Sequence, residues 1–330
     1  MSRHQVLVTD LVTGNLEPEE RVLGDLADVR AVAAVNEDDL VGQVEEADAL
    51  MVYHTMIISR RTIERLRRCK LIVRCGVGYD NVDGACARGR GIPLANVPDY
   101  GTEEVADSAI GMALALTRGI TFLNGRLRDE RGPWSWRQVV PLHRLRGRSF
   151  GIVGLGRIGT AFAIRAKALG VNVVFFDPYK PDGFDRALRI ERVESLDELL
   201  ARSFVVSLHC PLTRETERLI DAAALARMQP GSYLVNTARG AVVDTTALAP
   251  AIASGRLAGA AIDVLPHEPP LDDDPLIAAW RDPGHAAHDR VILNPHTAFY
   301  SEEGLIDMRV KGAEACGRAL QGLPLRNIVN

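Results

Sequence analysis

The sequence has no apolar run long enough to span a bilayer. It also has no dominant charge: 39 Lys and Arg stand against 43 Asp and Glu, for a net charge of −4. That balance excludes the strongly basic footprint of a nucleic-acid or acidic-membrane binder, so neither partner is expected. Cysteine is scarce and scattered. Cys69, Cys75, Cys86, Cys210 and Cys316 are odd in number and nowhere form C-x-x-C. A disulfide framework and a zinc site are thereby disfavoured, no metal is expected, and the usage fits a reducing compartment. No leader-like segment precedes the strand-like residues 5–10, so a cytoplasmic location is expected. There is no low-complexity stretch and no short-period repeat. With 47% apolar and 25% charged residues the composition is that of a globular chain, and 330 residues are long for a single core.

What is present is alternation. Apolar runs at 6–9, 29–33, 49–53, 71–75 and 93–97 read as strands. Between them 18–26, 37–46, 59–68 and 82–88 read as helices, which predicts βαβ units and a parallel sheet. Arg60, Arg61, Arg65, Arg67 and Arg68 read as the solvated face of one such helix rather than an anion site. Cys75-Gly-Val-Gly78 follows a strand, where backbone N–H groups can meet a small anion or simply turn the chain. At Thr102 the pattern changes to one long helix running to about 128, with Glu103 and Glu104 in its first turn. Its apolar face serves either an oligomer interface or packing within the chain. Trp134 and Trp136 lie in the loop that follows.

A second alternating half begins at Ser149-Phe-Gly-Ile-Val-Gly-Leu-Gly-Arg-Ile-Gly159. A strand, three glycines spaced G-x-G-x-x-G, an alanine-rich helix, a second strand at 171–176 and Asp177 make up a dinucleotide-binding unit. Gly154 permits the tight turn, Gly156 lets a pyrophosphate approach the backbone, and Gly159 lets the helix pack close. Arg157 and Ile158 open the helix, whose free N–H groups face the phosphates. Asp177 is placed to accept from ribose hydroxyls and would repel a 2′-phosphate, so NAD is expected rather than NADP. Further strands at 204–210, 233–236, 258–264 and 291–293 each end at a candidate group. These are His209-Cys210-Pro211, Thr237-Ala238-Arg239, Asp263 and His296. In open α/β sheets the ligand crevice lies at those carboxyl ends.

Three residues, Arg239, Glu268 and His296, offer reactive chemistry. Arg239 can hold a planar carboxylate through two parallel hydrogen bonds. A glutamate such as Glu268, bonded to one imidazole nitrogen, fixes a histidine's tautomer and favours its charged form. The other nitrogen of His296 is then left to exchange a proton with substrate.

The chain resembles the D-isomer-specific 2-hydroxyacid dehydrogenases over nearly its whole length. The resemblance is carried by Arg74-Cys-Gly-Val-Gly-Tyr-Asp-Asn-Val-Asp83, Gly154 to Gly159, Val235-Asn-Thr-Ala-Arg-Gly240, Ala261-Ile-Asp-Val264, His267-Glu-Pro269 and Pro295-His-Thr-Ala-Phe-Tyr-Ser-Glu302. Tyr53-His-Thr55, Glu104-Val-Ala-Asp-Ser108, Asp177-Pro-Tyr179 and Phe299-Tyr-Ser-Glu302 make it most similar to the C-terminal-binding-protein branch, which has a tryptophan where this chain has Phe299.

The resemblance implies two Rossmann-like or flavodoxin-like domains with parallel sheets. The substrate domain, 1–99 plus 296–330, is interrupted by an NAD-binding domain, 100–295. It implies an NAD(H)-dependent oxidoreductase acting on a small 2-keto or D-2-hydroxy acid, with Arg239, Glu268 and His296 as the catalytic set. Gly154, Gly156, Arg157, Ile158, Asp177, His209, Cys210, Pro211, Thr237, Ala238, Asp263 and His296 would contact cofactor, Asp263 through the nicotinamide amide. Arg74, Gly76, Val77, Gly78, Arg239, His296 and Phe299 would contact substrate. A homodimer through the helix after Thr102 and the 131–146 segment is expected. The alternative within the family is a dinucleotide-sensing binding protein of co-repressor type, against which the intact catalytic set counts.

Overall fold

A computed structural model describes residues 3–12 and 14–330. The chain forms two compact units, Met1–Gly101 with Ser301–Asn330, and Thr102–Tyr300. The second division falls at 300/301 rather than at the expected 295/296. Residues 296–298 stay with the middle unit because their backbone N–H groups bond to Asp263, within it.

In the first unit, β1 (His4–Val8), β2 (Ala27–Ala31), β3 (Ala49–Val52), β4 (Leu71–Arg74) and β5 (Leu94–Asn96) form one parallel sheet in the order β2-β1-β3-β4-β5. Val6 and Val8 face one core and Leu7 the other. With both faces covered, strands read as continuous apolar runs, which is why 49–53 and 71–75 stand out in the sequence. The helix Glu302–Leu320 covers the first face with Met308, Ala313 and Cys316. Gly312 sets its approach, since a Cβ there would lie 2.6 Å from Cys75 Sγ and 2.9 Å from Met51 Cε.

Two expected helices shrink. Residues 37–46 hold only a 3₁₀ turn, Glu37–Leu40, capped by Asn36 and Asp39 and ended at Val41, which is extended, and at Gly42 with φ +81°. Residues 59–68 hold only Arg60–Ile63. Of the five arginines there, Arg61, Arg65 and Arg67 pair with Asp38, Glu45 and Glu46, the solvated face expected of them.

In the second unit, β6 (Ser149–Val153), β7 (Asn172–Phe176), β8 (Glu191–Arg192), β9 (Val205–Leu208), β10 (Ser232–Asn236), β11 (Leu257–Ile262) and β12 (Val291–Leu293) form a seven-stranded parallel sheet in the order β12-β11-β10-β9-β6-β7-β8. This is the doubly wound order, with its switch point between β6 and β9. The two-residue β8 is too short to leave a periodic signal in the sequence.

The expected single helix from Thr102 is two, Thr102–Thr117 and Ile120–Arg128, bent by 63°. The Thr117 hydroxyl donates back to Ala113 O at 2.7 Å, and Gly119 takes φ +62°. Ala106, Ala109, Met112, Ala113 and Leu116 are buried against Phe162, Ala163 and Ala166 of the helix Arg157–Ala168, so this face belongs to the unit's own core. No single described helix is long and apolar enough to cross a membrane.

The end of the chain is tied to its beginning by a buried ion pair. Arg309 donates to both oxygens of the fully buried Glu19, at 2.7 and 2.6 Å, and Glu19 in turn holds the guanidinium in its charged form. Removing one member of such a pair costs about 3–5 kcal/mol, because the other charge is left buried. Arg309→Met should therefore lower the urea-unfolding free energy by about that amount. A loss under about 1 kcal/mol would show that the pair does not hold the last helix.

Candidate active site

The glycine turn follows β6. Gly154 has φ +88°, and a Cβ on it would lie 2.8 Å from Cys210 N and 2.9 Å from His209 C. Only glycine lets the loops after β6 and β9 meet there, at the switch point. A Cβ on Gly159 would overlap Gly154 O, so the helix start cannot carry a side chain at that position either. Gly156 differs. Nothing lies within 4 Å of its would-be Cβ, its φ is −74°, and it is exposed. Neither strain nor crowding requires glycine there, which leaves the space in front of it as the reason. Gly156 is the N-cap of Arg157–Ala168 and supplies no side-chain cap, so the first N–H groups remain for a ligand.

The neighbouring groups fit a dinucleotide. The Asp177 carboxylate accepts from Leu155 N at 2.8 Å and Tyr179 N at 3.0 Å, which fixes it beside the turn with lone pairs to spare for hydroxyl donors. His209 bonds Ser207 Oγ through Nε2 at 2.9 Å, while its buried Nδ1 has no partner among the described residues. Burial pushes this imidazole down to about 3, so it is neutral. The buried Thr237 Oγ1 also lacks a partner among the described residues. These two orphaned polar atoms stand at the carboxyl ends of β9 and β10. Burial raises the Cys210 thiol to about 11, which disfavours its thiolate. Arg157 and Pro211 are exposed; Ile158 and Ala238 are half-buried.

Asn236, which sequence reasoning passed over, shapes the next loop. It is fully buried at the end of β10, accepts from Ala238 N at 3.0 Å and donates to Arg239 O at 2.9 Å. An asparagine ending a strand and bonding the backbone two residues on is a turn signal legible in sequence. Arg239 Nη1 donates to Ala238 O at 2.8 Å. A Cβ on Gly240 would overlap Leu265 C and O, so the arginine turn lies against the segment leading to Glu268.

Asp263 anchors the histidine. Its Oδ1 accepts from Thr297 N at 3.0 Å and Ala298 N at 3.1 Å, and its carbonyl accepts from His296 N at 2.8 Å. Burial pushes the carboxyl up, opposed by those two N–H groups and by the charge of His296. Held this way, His296 adopts φ +53°, a left-handed conformation costing about 1–2 kcal/mol for a side chain with a Cβ. Its Nδ1 is 2.7 Å from Glu268 Oε2, and Glu268 Oε1 accepts from Leu265 N at 2.8 Å. Phe299 meets the imidazole edge-on at 6.0 Å between centroids. The unit thus brings together Asp263, Glu268, His296 and Phe299, with the Arg239 turn beside them. Asp263 has a backbone-anchoring role that its position in the sequence did not reveal. Among the described residues no group of three or more His, Cys, Asp and Glu could hold a metal.

Arg74, Gly76, Val77 and Gly78 belong to the first unit. Arg74 ends β4, is 6% exposed, and folds back so that its guanidinium takes the space a side chain on Gly76 would fill. Gly76 has φ +149°, and Val77 O accepts from Asn96 Nδ2 at 2.7 Å.

The two glycines predict opposite phenotypes. Gly156→Ala should fold normally yet weaken NADH binding at least about tenfold, about 1.4 kcal/mol. Gly159→Ala should lose about 1–3 kcal/mol of stability through overpacking. Urea unfolding and NADH fluorescence titration check both. Unchanged NADH affinity in Gly156→Ala would contradict the use assigned to that open space.

Comparison with known proteins agrees with this geometry. Residues 110–298 match the family model "D-isomer specific 2-hydroxyacid dehydrogenase, NAD binding domain". D-3-phosphoglycerate dehydrogenase of Methanocaldococcus jannaschii is 33% identical over 326 residues, 99% of this chain and 59% of the relative. The chain therefore spans little more than half the length of that curated relative. The crystal structure of D-lactate dehydrogenase from Aquifex aeolicus with NAD and lactic acid is 27% identical, with a TM-score of 0.85 and 96% of each chain covered. That of a glyoxylate reductase from Paecilomyes thermophila is 28% identical, with a TM-score of 0.85, covering 100% of this chain and 99% of the other. With its glycine turn, its doubly wound sheet and its Glu268–His296 pair, this chain belongs to the D-isomer-specific 2-hydroxyacid dehydrogenase family.

Proposed function

We propose that this chain is an NAD-dependent oxidoreductase acting on a small 2-keto acid or D-2-hydroxy acid. The observation that carries the reading is the 2.7 Å contact between Glu268 Oε2 and His296 Nδ1. It leaves Nε2 as the nitrogen that faces substrate.

Bound NADH supplies the hydride to the keto carbon. His296 donates its Nε2 proton to the oxygen that becomes the hydroxyl, and takes it back in the reverse direction. Glu268 stabilises the imidazolium and fixes the ring's orientation. Asp263 holds the backbone on which that ring is mounted. Arg239 binds the substrate carboxylate and stabilises charge growing on the carbonyl oxygen. Phe299, edge-on to His296 within the same unit, adds a contact to substrate. NAD is favoured over NADP because a 2′-phosphate would meet the Asp177 carboxylate. Relatives named for 3-phosphoglycerate, D-lactate and glyoxylate define the range of acids to try. The chain is also proposed to work as a homodimer. Ile120, Trp134, Trp136 and Val140 are large apolar side chains left more than half exposed on Ile120–Arg128 and the segment after it.

His296→Ala should lower turnover by about 10²-fold or more while leaving the NADH dissociation constant within about twofold. Reduction consumes a proton and oxidation releases one, so reduction should slow as pH rises and oxidation should accelerate over the same interval. Steady-state assays in both directions test this. Full activity in His296→Ala, or parallel pH trends, would contradict the assignment. Asp177→Ser should raise NADPH use relative to NADH, by the ratio of kcat/KM values. Tight NADH binding with no turnover on any 2-keto acid would favour a dinucleotide sensor instead.

A further inference from the structure

The second unit holds a cavity of about 440 Å³ at the end of its sheet opposite the glycine turn. Phe204 precedes β9, Tyr233 is near the start of β10 and Leu257 begins β11, so the strands' amino ends form its floor. The ends of Thr102–Thr117 and Ala287–Arg290, the start of Ile120–Arg128 and residues 139–143 form its walls. Every lining residue lies within Thr102–Tyr300. Along β10, Tyr233 and Thr237 stand about 13 Å apart at about 3.3 Å per residue, which separates this cavity from the crevice at the strands' carboxyl ends.

The charges in the cavity do not balance. Arg148 lies over the Phe204 ring, 4.8 Å from its centroid, and Arg290 over the Phe122 ring at 5.5 Å. Among the described residues neither guanidinium has an ion pair; Arg290 Nη1 donates only to Ala258 O, at 3.2 Å. The one carboxylate on the lining is already taken. Asp289 accepts from Arg126 at 2.9 Å and from Arg131 at 2.6 Å, and although burial works to raise its carboxyl, those two arginines hold it below the usual range. Tyr233 is 7% exposed, and its hydroxyl has no hydrogen-bond partner among the described residues. Burial pushes that phenol up, against the nearby charges of Arg290 and Arg118.

A guanidinium laid on a ring keeps its N–H fork free in its own plane, where a planar carboxylate fits it. The rest of the lining is apolar and flat-walled. Phe204 meets Tyr233 edge-on at 5.4 Å, and Leu116 and Leu142 add aliphatic surface. Thr102–Thr117 and Leu248–Ala253 both end here, and the partial negative charge of helix carboxyl ends disfavours a doubly charged phosphate.

We propose that this cavity is a second ligand site, for a small aromatic carboxylate. The ring of the ligand packs among Phe122, Phe204 and Leu142, and its single negative charge is met by Arg148, Arg290 and the Tyr233 hydroxyl. The volume lies within the range of about 300–1,000 Å³ that small-molecule sites occupy. Ile120, Trp134 and Trp136, assigned above to the homodimer, do not line it. The site is separate from the groups that carry the proposed reaction, and its occupancy does not depend on turnover.

The test is isothermal titration calorimetry of 1-naphthoate into the full chain saturated with NAD, beside its neutral counterpart 1-naphthylmethanol. One molecule of 1-naphthoate should bind per chain with a dissociation constant under about 1 mM, at least about tenfold tighter than the alcohol. Excess pyruvate should not displace it. Arg290→Gln, at an exposed position, and Arg148→Met should each weaken binding at least about fivefold, and Tyr233→Phe, which loses only the hydroxyl, about threefold. NADH affinity should stay within about twofold in all three, which also shows that they fold. Several results would overturn the site: no saturable binding up to about 10 mM, equal affinity for acid and alcohol, unchanged affinity in the arginine variants, or displacement by pyruvate. Binding that fades as protein concentration rises would overturn it too, because a second copy would then fill the cavity.

Discussion

The second unit's site depends on one buried carboxylate, Asp263. Its backbone carbonyl and its side chain together receive the N–H groups of His296, Thr297 and Ala298. Three consecutive N–H groups bound to one residue compel a turn, and the turn places His296 at φ +53°. A β-region backbone at 296 would aim the imidazole elsewhere and lose the 2.7 Å contact with Glu268. The strain is small beside three hydrogen bonds, two of them to a charged group in a dry setting. A conformation that a histidine rarely adopts is thereby made the resting one, and the ring needs no reorganisation before it exchanges a proton.

Both sheets use their switch points, and they use them differently. In the second unit Gly154 and Gly159 close the loops to backbone contact while Gly156 leaves open space, which makes a cradle for a ligand. In the first unit the equivalent place is filled by Asp10. The difference follows from residue type. Glycines bring N–H groups and room, and an anion is welcome there. An aspartate brings an anion of its own and draws the neighbouring loop onto itself.

Much of this was legible in the sequence. Fully buried parallel strands appear as apolar runs, so β3, β4, β6 and β10 were found within a residue or so. The glycine spacing with Asp177 singled out the turn after β6 as the candidate dinucleotide site. Glu268 and His296, 28 positions apart, were paired only through family resemblance, since no periodicity connects two loops after different strands. The bend at Gly119 was missed because apolar spacing continues across it; the break comes from a back-bonded Thr117 and a glycine's left-handed φ. Asp10 and Asn81 went unnoticed for a shared reason. Each acts by hydrogen-bonding backbone atoms, often of a distant loop, and leaves no pattern along the chain beyond a polar residue near a strand's end.

Under the proposed function, hydride passes directly from NADH to the second carbon of a 2-keto acid under the control of the Glu268–His296 pair. The most direct measurement uses NADH deuterated at the transferable position of its nicotinamide, with glyoxylate and pyruvate as acceptors, and analyses the products by proton NMR and chiral chromatography. Deuterium at carbon 2 of a D-2-hydroxy acid is expected from pyruvate, with loss of that product when Glu268 is replaced by Gln. Product without deuterium, an L-configured product, or no product while NADH remains tightly bound would contradict it.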